Sequence, residues 1–120
     1  MATLAIQKIV EAGLAPTYGA AASGGDVFPN TKGEVFLHVK NGGVGAVTVT
    51  IAPQASSFNV ANKGAVTKPD AGGSVPATTG DRMFGPFPPA AFNDNQGRVA
   101  VTYSGVTTVT VAAIQLPAVV

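Results

Sequence analysis

Cysteine and tryptophan are absent from this chain, and histidine occurs once, at His38. Without cysteine there is neither a disulfide framework nor a thiolate zinc site, and the redox compartment leaves no mark. A single histidine cannot build the usual histidine-rich transition-metal site, so His38 reads as a surface or interface side chain. Charge is also scarce. Charged residues make up 11% of the chain, where about 25% is usual for a soluble domain. The basic residues Lys8, Lys32, Lys40, Lys63, Lys68, Arg82 and Arg98 are scattered, and the net charge is +1. They form no basic stripe, so no nucleic acid is expected as a partner. No apolar run approaches the roughly 18 residues of a membrane-spanning helix, so no membrane partner is expected either. The segment MATLAIQKIVEAG lacks a basic stretch followed by a continuous apolar core, so no signal peptide is expected.

Reactive constellations are missing as well. The carboxylates are Glu11, Asp26, Glu34, Asp70, Asp81 and Asp94. Nothing in the sequence brings two of them to the roughly 5–10 Å of a glycosidase pair. Asp94 sits in Asn93-Asp94-Asn95-Gln96-Gly97, which lacks the spaced carboxylates of a calcium loop and reads as a turn. Gly42, Gly43 and Gly45 do not form a phosphate-binding fingerprint ahead of a helix. Ser56, Ser57 and Ser104 lack a nucleophile elbow. These features predict no catalytic residue, no metal and no cofactor.

What the chain does have is β-strand pattern. From Thr3 to Val10 it reads as an extended arm, and from Gly13 to Gly25 as a long loop broken by Pro16 and Gly24-Gly25. Glu34 to Lys40 alternates, with Val35, Leu37 and Val39 on one face and Phe36, His38 and Lys40 on the other. Gly45 to Ile51 alternates likewise, with Val47, Val49 and Ile51 inward. The intervening Asn41-Gly42-Gly43 predicts an antiparallel hairpin. Phe58, Val60 and Val66 are expected anchors in a polar, glycine-rich stretch, and Lys68 to Gly73 a turn cluster. Val75 to Thr79 is a candidate short edge strand. Asp81 to Phe87 is another, confined to an edge or its end by Pro86, Pro88 and Pro89. Phe84, Phe87 and Phe92 are expected to plug one end of the core.

Arg98 to Ser104, with Val99, Val101 and Tyr103 on one face, and Thr107 to Leu116 predict a second hairpin. Ala112, Ile114 and Leu116 are apolar on the other side, which implies burial on both faces or a partner. The 120 residues suit one domain. The expected fold is all-β, an antiparallel β-sandwich of jelly-roll or Greek-key wiring with an extended N-terminal arm and long loops. Residues 1–25 are arm and loop, 26–116 sandwich, and 117–120 an apolar tail. The poorly charged surface fits either an assembly component or a small-residue-rich monomer.

The segments AGLAPTYGAAASGGDVFPNTKGEVFLHVKNGG, VTVTI and GPFPPAAFNDNQGRVAVTYSGVTTVTVAAIQL occur in that order. In this order the chain resembles small β-sandwich proteins of tailed bacteriophages, encoded near the major capsid protein. The pieces FLHVKNGG, GPFP, FND and VTYSGVT carry the resemblance, which is weakest between Gln54 and Val75. Such proteins are capsid decoration, or cement, proteins. The resemblance implies a structural virion protein on the outside of the head, made in the host bacterial cytoplasm. It implies the major capsid protein as partner, a dimer or trimer on the capsid, and no enzymatic activity. Expected contact residues are Leu4, Ile6, Tyr18, Phe28, Leu116, Val119 and Val120. The alternatives are a head–tail connector, a tail- or fibre-associated protein, or a small carbohydrate-binding module using Tyr18, Phe84 or Tyr103.

Overall fold

A computed structural model of the chain describes residues 2–54, 57–60, 64–67 and 69–117. The side chains of Phe58, Val60 and Val66, and all of Val119 and Val120, lie outside the described residues. In chain order the strands are Ala2–Thr3 (β1), Ile6–Lys8 (β2), Gly19–Ala20 (β3), Asp26–Pro29 (β4), Val35–Asn41 (β5) and Val47–Ile51 (β6). Then come Ser57–Val60 (β7), Gly64–Thr67 (β8), Ala71–Val75 (β9) and Gly80–Phe84 (β10). A single helical turn, Pro89–Phe92 (α1), precedes Arg98–Tyr103 (β11) and Val109–Gln115 (β12). The protein is all-β in class, as its alternating pattern predicts.

Two sheets form. The first has the order β1-β4-β11-β6-β9. The second has the order β10-β5-β12-β2, with β3 also on β12. β7 and β8 pair with each other as a separate hairpin. The sheets are mixed rather than purely antiparallel, because the N-terminal arm joins both in parallel register. β1 lies beside β4, and β2 beside β12. β2 and β3 share one edge of β12: Ile6 to Lys8 pair with residues 113–115, and Gly19 and Ala20 with residues 110 and 111. The expected arm is therefore two short strands that tie the chain's start to each sheet.

Alternation places the core. Val47, Val49 and Ile51 of β6 are buried, while Thr48 faces out. Val35, Leu37 and Val39 of β5, Val99 and Val101 of β11, and Val109, Val111 and Ala113 of β12 are buried too. Residues of both sheets belong to one apolar cluster. Each fully buried Val or Leu contributes about 1.5–3 kcal/mol, and valines supply much of this interior. One end is closed by aromatics, as expected. Phe87 lies between Phe28 and Phe92, with ring centroids 5.9 and 5.5 Å away. Phe84 is also buried. Asn30 Nδ2 donates to Asn93 Oδ1 at 2.9 Å and Asn93 Nδ2 to the Asn30 backbone carbonyl at 2.7 Å, which locks the end of α1 to the end of β4.

Neither predicted hairpin forms. β5 lies in the second sheet between β10 and β12, whereas β6 lies in the first between β11 and β9. β11 pairs with β4 and β6, and β12 with β5. The chain crosses from one sheet to the other at residues 42–46 and again at 104–108. A third crossing, residues 76–79, leads from β9 to β10 where a short strand was expected. The predicted turn at Gly72-Gly73 is instead the middle of β9. There Gly72 adopts φ +117°, and an added Cβ would stand 2.1 Å from the Val49 carbonyl oxygen. Glycine marks a close approach between strands here, not a reversal. Asp81 to Phe84 does form an edge, as β10.

Candidate functional site

The outer face of the second sheet is set by strand register. Met83, His38 and Ala112 lie in one cross-strand row, and Asp81, Lys40 and Thr110 in the next. His38, expected as a surface or interface side chain, is buried within the chain itself, at 5% exposure. Its Nδ1 lies 2.6 Å from the Tyr18 hydroxyl, and its Nε2 lies 3.1 Å from Asp81 Oδ1. A carboxylate only accepts, so Nε2–H donates to Asp81 and Nδ1 accepts the phenolic proton. The Tyr18 and His38 rings meet edge to face at 5.3 Å. The Lys40 ammonium sits 4.0 Å above the centroid of the Tyr18 ring. Burial, and then the charge of Asp81, raise the Tyr18 pKa above the ordinary tyrosine value. The phenol therefore stays neutral and acts as a donor. That is the opposite of an activated nucleophile, and the trio works as a latch holding the loop before β3 against the sheet.

Below this latch runs an apolar groove of about 230 Å³, lined by Ile9, Leu14, Pro16, Tyr18, Phe36, His38, Met83 and Ile114. Met83 is 59% exposed. The groove continues toward the end of β12. There Ile9 N–H donates to the Gln115 carbonyl and Leu116 N–H to that of Glu34, each at 3.0 Å. Val10 and Leu116 are exposed beside them. This exposed strip answers the question posed by Ala112, Ile114 and Leu116. The arm and loop bury Ala112 and Ile114, and Leu116 is left open.

Three of the sheet-to-sheet crossings, residues 42–46, 76–79 and 104–108, meet at one place. Asn41, 1% exposed, ties the first two together. Its Nδ2 donates to the carbonyls of Gly45 and Val75 at 2.9 and 3.2 Å, and its Oδ1 accepts from Gly43 N–H at 3.0 Å. Thr78 N–H donates to the Gly43 carbonyl at 2.7 Å, and Gly42 N–H to that of Thr108 at 2.9 Å. Thr78 and Thr108 hold φ +70° and +57°, the positive-φ non-glycine residues among those described. For a β-branched residue that backbone costs about 1–3 kcal/mol. Both threonines line a pocket of about 400 Å³ together with Lys40, Thr79, Asp81 and Thr110.

The expected contact residues are dispersed. Leu4 and Ile6 are partly buried and pack on the core from the arm. Tyr18 is partly buried in the latch. Phe28 is 0% exposed and cannot touch a partner: β4 is buried on both faces, and Phe28 belongs to the aromatic end. Leu116 is exposed at 46%, and Val119 and Val120 lie outside the described residues. Of the alternative aromatic ligands, Phe84 is buried, and the Tyr103 hydroxyl is bonded to Asp26. Sequence reasoning missed Met83 and the Tyr18–His38–Asp81 trio. The alternation of residues 36, 38 and 40 was a signal for the shared face, but the register with β10 was not readable. No protein-family profile, curated protein or solved structure matches the chain.

Proposed function

We propose that the protein is a structural virion component. In this reading it binds the outside of a bacteriophage head and stabilises contacts between major capsid protein subunits, as a dimer or trimer. The two sheets are then the layers of a β-sandwich with jelly-roll-like wiring. The strands alternate between layers from β9 to β12, which supports that wiring. The observation that carries the functional reading is the apolar groove on the outer face of the second sheet with Met83 open in its lining, and with exposed Val10 and Leu116 each next in the chain to residues near it. Exposed apolar side chains at a groove are the kind of surface that protein contacts use. The arm strands β2 and β3 already occupy the outer edge of β12. Docking therefore uses the face rather than strand addition at that edge.

The stabilising mechanism is linkage. A protein that binds the assembled shell and not its free subunits shifts the equilibrium toward the shell, and repeated copies reinforce one another by avidity. Co-sedimentation with undecorated heads tests the proposal. The wild-type protein is expected to pellet with heads, and Met83→Asp and Leu116→Asp to remain in the supernatant while melting like the wild type. Absence from purified particles, together with failure to pellet, overturns it. A copy number of a single ring per particle points instead to the head–tail connector.

A further inference from the structure

The pocket where the three crossings meet carries a second, independent reading. We propose that it binds a neutral pyranose sugar, as the terminal unit of a glycan. Its volume of about 400 Å³ lies within the range of small-molecule pockets, about 300–1,000 Å³. Its lining is rich in threonine: Thr78, Thr79, Thr108 and Thr110 border it, with Lys40 and Asp81, and with Asn41, Gly42 and Gly80 between them. Each threonine offers a methyl group and a hydroxyl that both donates and accepts. A pyranose presents the matching surface, C–H faces edged by hydroxyls.

The charges argue against other ligands. Lys40 and Asp81 oppose each other across the β5–β10 register, so the lining has no net charge. The Lys40 ammonium is held over the Tyr18 ring, and one Asp81 oxygen is held by His38. An anion entering here meets the Asp81 carboxylate, and a cation finds one carboxylate beside an ammonium.

The backbone supplies the second observation. Thr78 and Thr108 both stand at positive φ, and both line this pocket. Glycine takes that conformation without strain, so the crossings alone do not call for threonine. At each position the threonine adds a hydroxyl and a methyl group that glycine would not. Strain of this kind collects at ligand sites.

Amide-resolved NMR titration with the methyl pyranosides of glucose, galactose, mannose and N-acetylglucosamine tests the site. Inorganic phosphate serves as the competing probe. The expected result is saturable shifts for at least one sugar at residues 40–42, 78–81 and 108–110, with a dissociation constant in the millimolar range. Thr110→Val and Thr79→Val are each expected to weaken it roughly tenfold. If Thr110→Val does not fold, Thr79→Val in the exposed crossing decides. No shifts at these amides up to about 100 mM sugar, a free-energy scale of about −1.4 kcal/mol, overturns the proposal. So do shifts there with phosphate alone, or shifts confined to the apolar groove. Head co-sedimentation of the same variants reads the virion proposal separately, and is expected to be unchanged.

Discussion

The Tyr103 hydroxyl donates a 2.7 Å hydrogen bond to Asp26 Oδ2, a partner 77 residues earlier in the chain. Asp26 is fully buried and also accepts a weaker bond from Ala22 N–H at 3.3 Å. The pair fastens β11 to the start of β4, where the chain enters the first sheet. Burial first, then the bond to Asp26 and its charge, push the Tyr103 pKa far above the ordinary tyrosine value. Tyr103→Phe is expected to cost about 1–3 kcal/mol at neutral pH, because the carboxylate loses its main donor.

The same shift fixes a pH dependence. The folded state keeps the phenolic proton to higher pH than the unfolded chain, whose tyrosines ionise near 10.0. Stability is therefore full below about pH 10 and falls as pH rises above it. Tyr18, with its pKa also raised, acts in the same direction. Chemical denaturation of wild type and Tyr103→Phe at pH 7 and pH 11 checks this. The variant is expected to show the shallower alkaline fall.

Asn41 fastens the crossing at residues 42–46 to the start of the one at 76–79 with three side-chain bonds. Asn41→Ala removes all of them, including the bond to the buried Val75 carbonyl. The expected loss is about 2–4 kcal/mol, seen as a lower urea midpoint at unchanged slope.

Gly72→Ala is expected to cost at least about 2 kcal/mol, although it adds one methyl group. The positive φ strains any other residue, and the new Cβ would collide with the Val49 carbonyl. Gly45→Ala, where nothing lies within 4 Å of the added Cβ, is the control. It is expected to melt within about 0.5 kcal/mol of the wild type.

Tyr18→Phe removes the hydroxyl that His38 accepts and leaves ring packing intact. The expected cost is about 1 kcal/mol. Hydrogen exchange is expected to quicken in residues 14–20 and to stay unchanged in β6 and β11. Equal quickening throughout would show that the trio does not act as a local latch.

Much of the fold was legible wherever alternation alone decides. Val35-Leu37-Val39, Val47-Val49-Ile51 and Val99-Val101 declare their buried faces because side chains alternate along any strand. Partner choice was not legible. Asn41-Gly42-Gly43 suits a tight reversal and a corner between sheets equally well, since both need only residues that bend freely. Which one forms depends on β9, β10 and β12, all distant in sequence. Gly72-Gly73 misled for a related reason: glycine marks close approach as well as turning. His38 looked isolated because Tyr18 and Asp81 lie 20 and 43 residues away. Of the candidate contact residues, Leu116 is exposed and Phe28 is fully buried within the chain's own core. Val35 to Val39 on their own could not reveal that the reverse face carries the latch and the groove.

The position of β12 has a consequence for biosynthesis. It is the hub of the second sheet, receiving β5 on one side and β2 with β3 on the other. As the nascent chain leaves the ribosome, those three strands emerge long before the one that joins them. Until residues 109–115 arrive, β5 has its β12 edge unpaired and the arm has no dock. Long-range pairing of this kind is slow, with folding in milliseconds to seconds, and unpaired edges invite association meanwhile. Folding is thus held back until nearly the whole described chain has been made, and expression at lower temperature or synthesis rate is expected to raise the soluble yield.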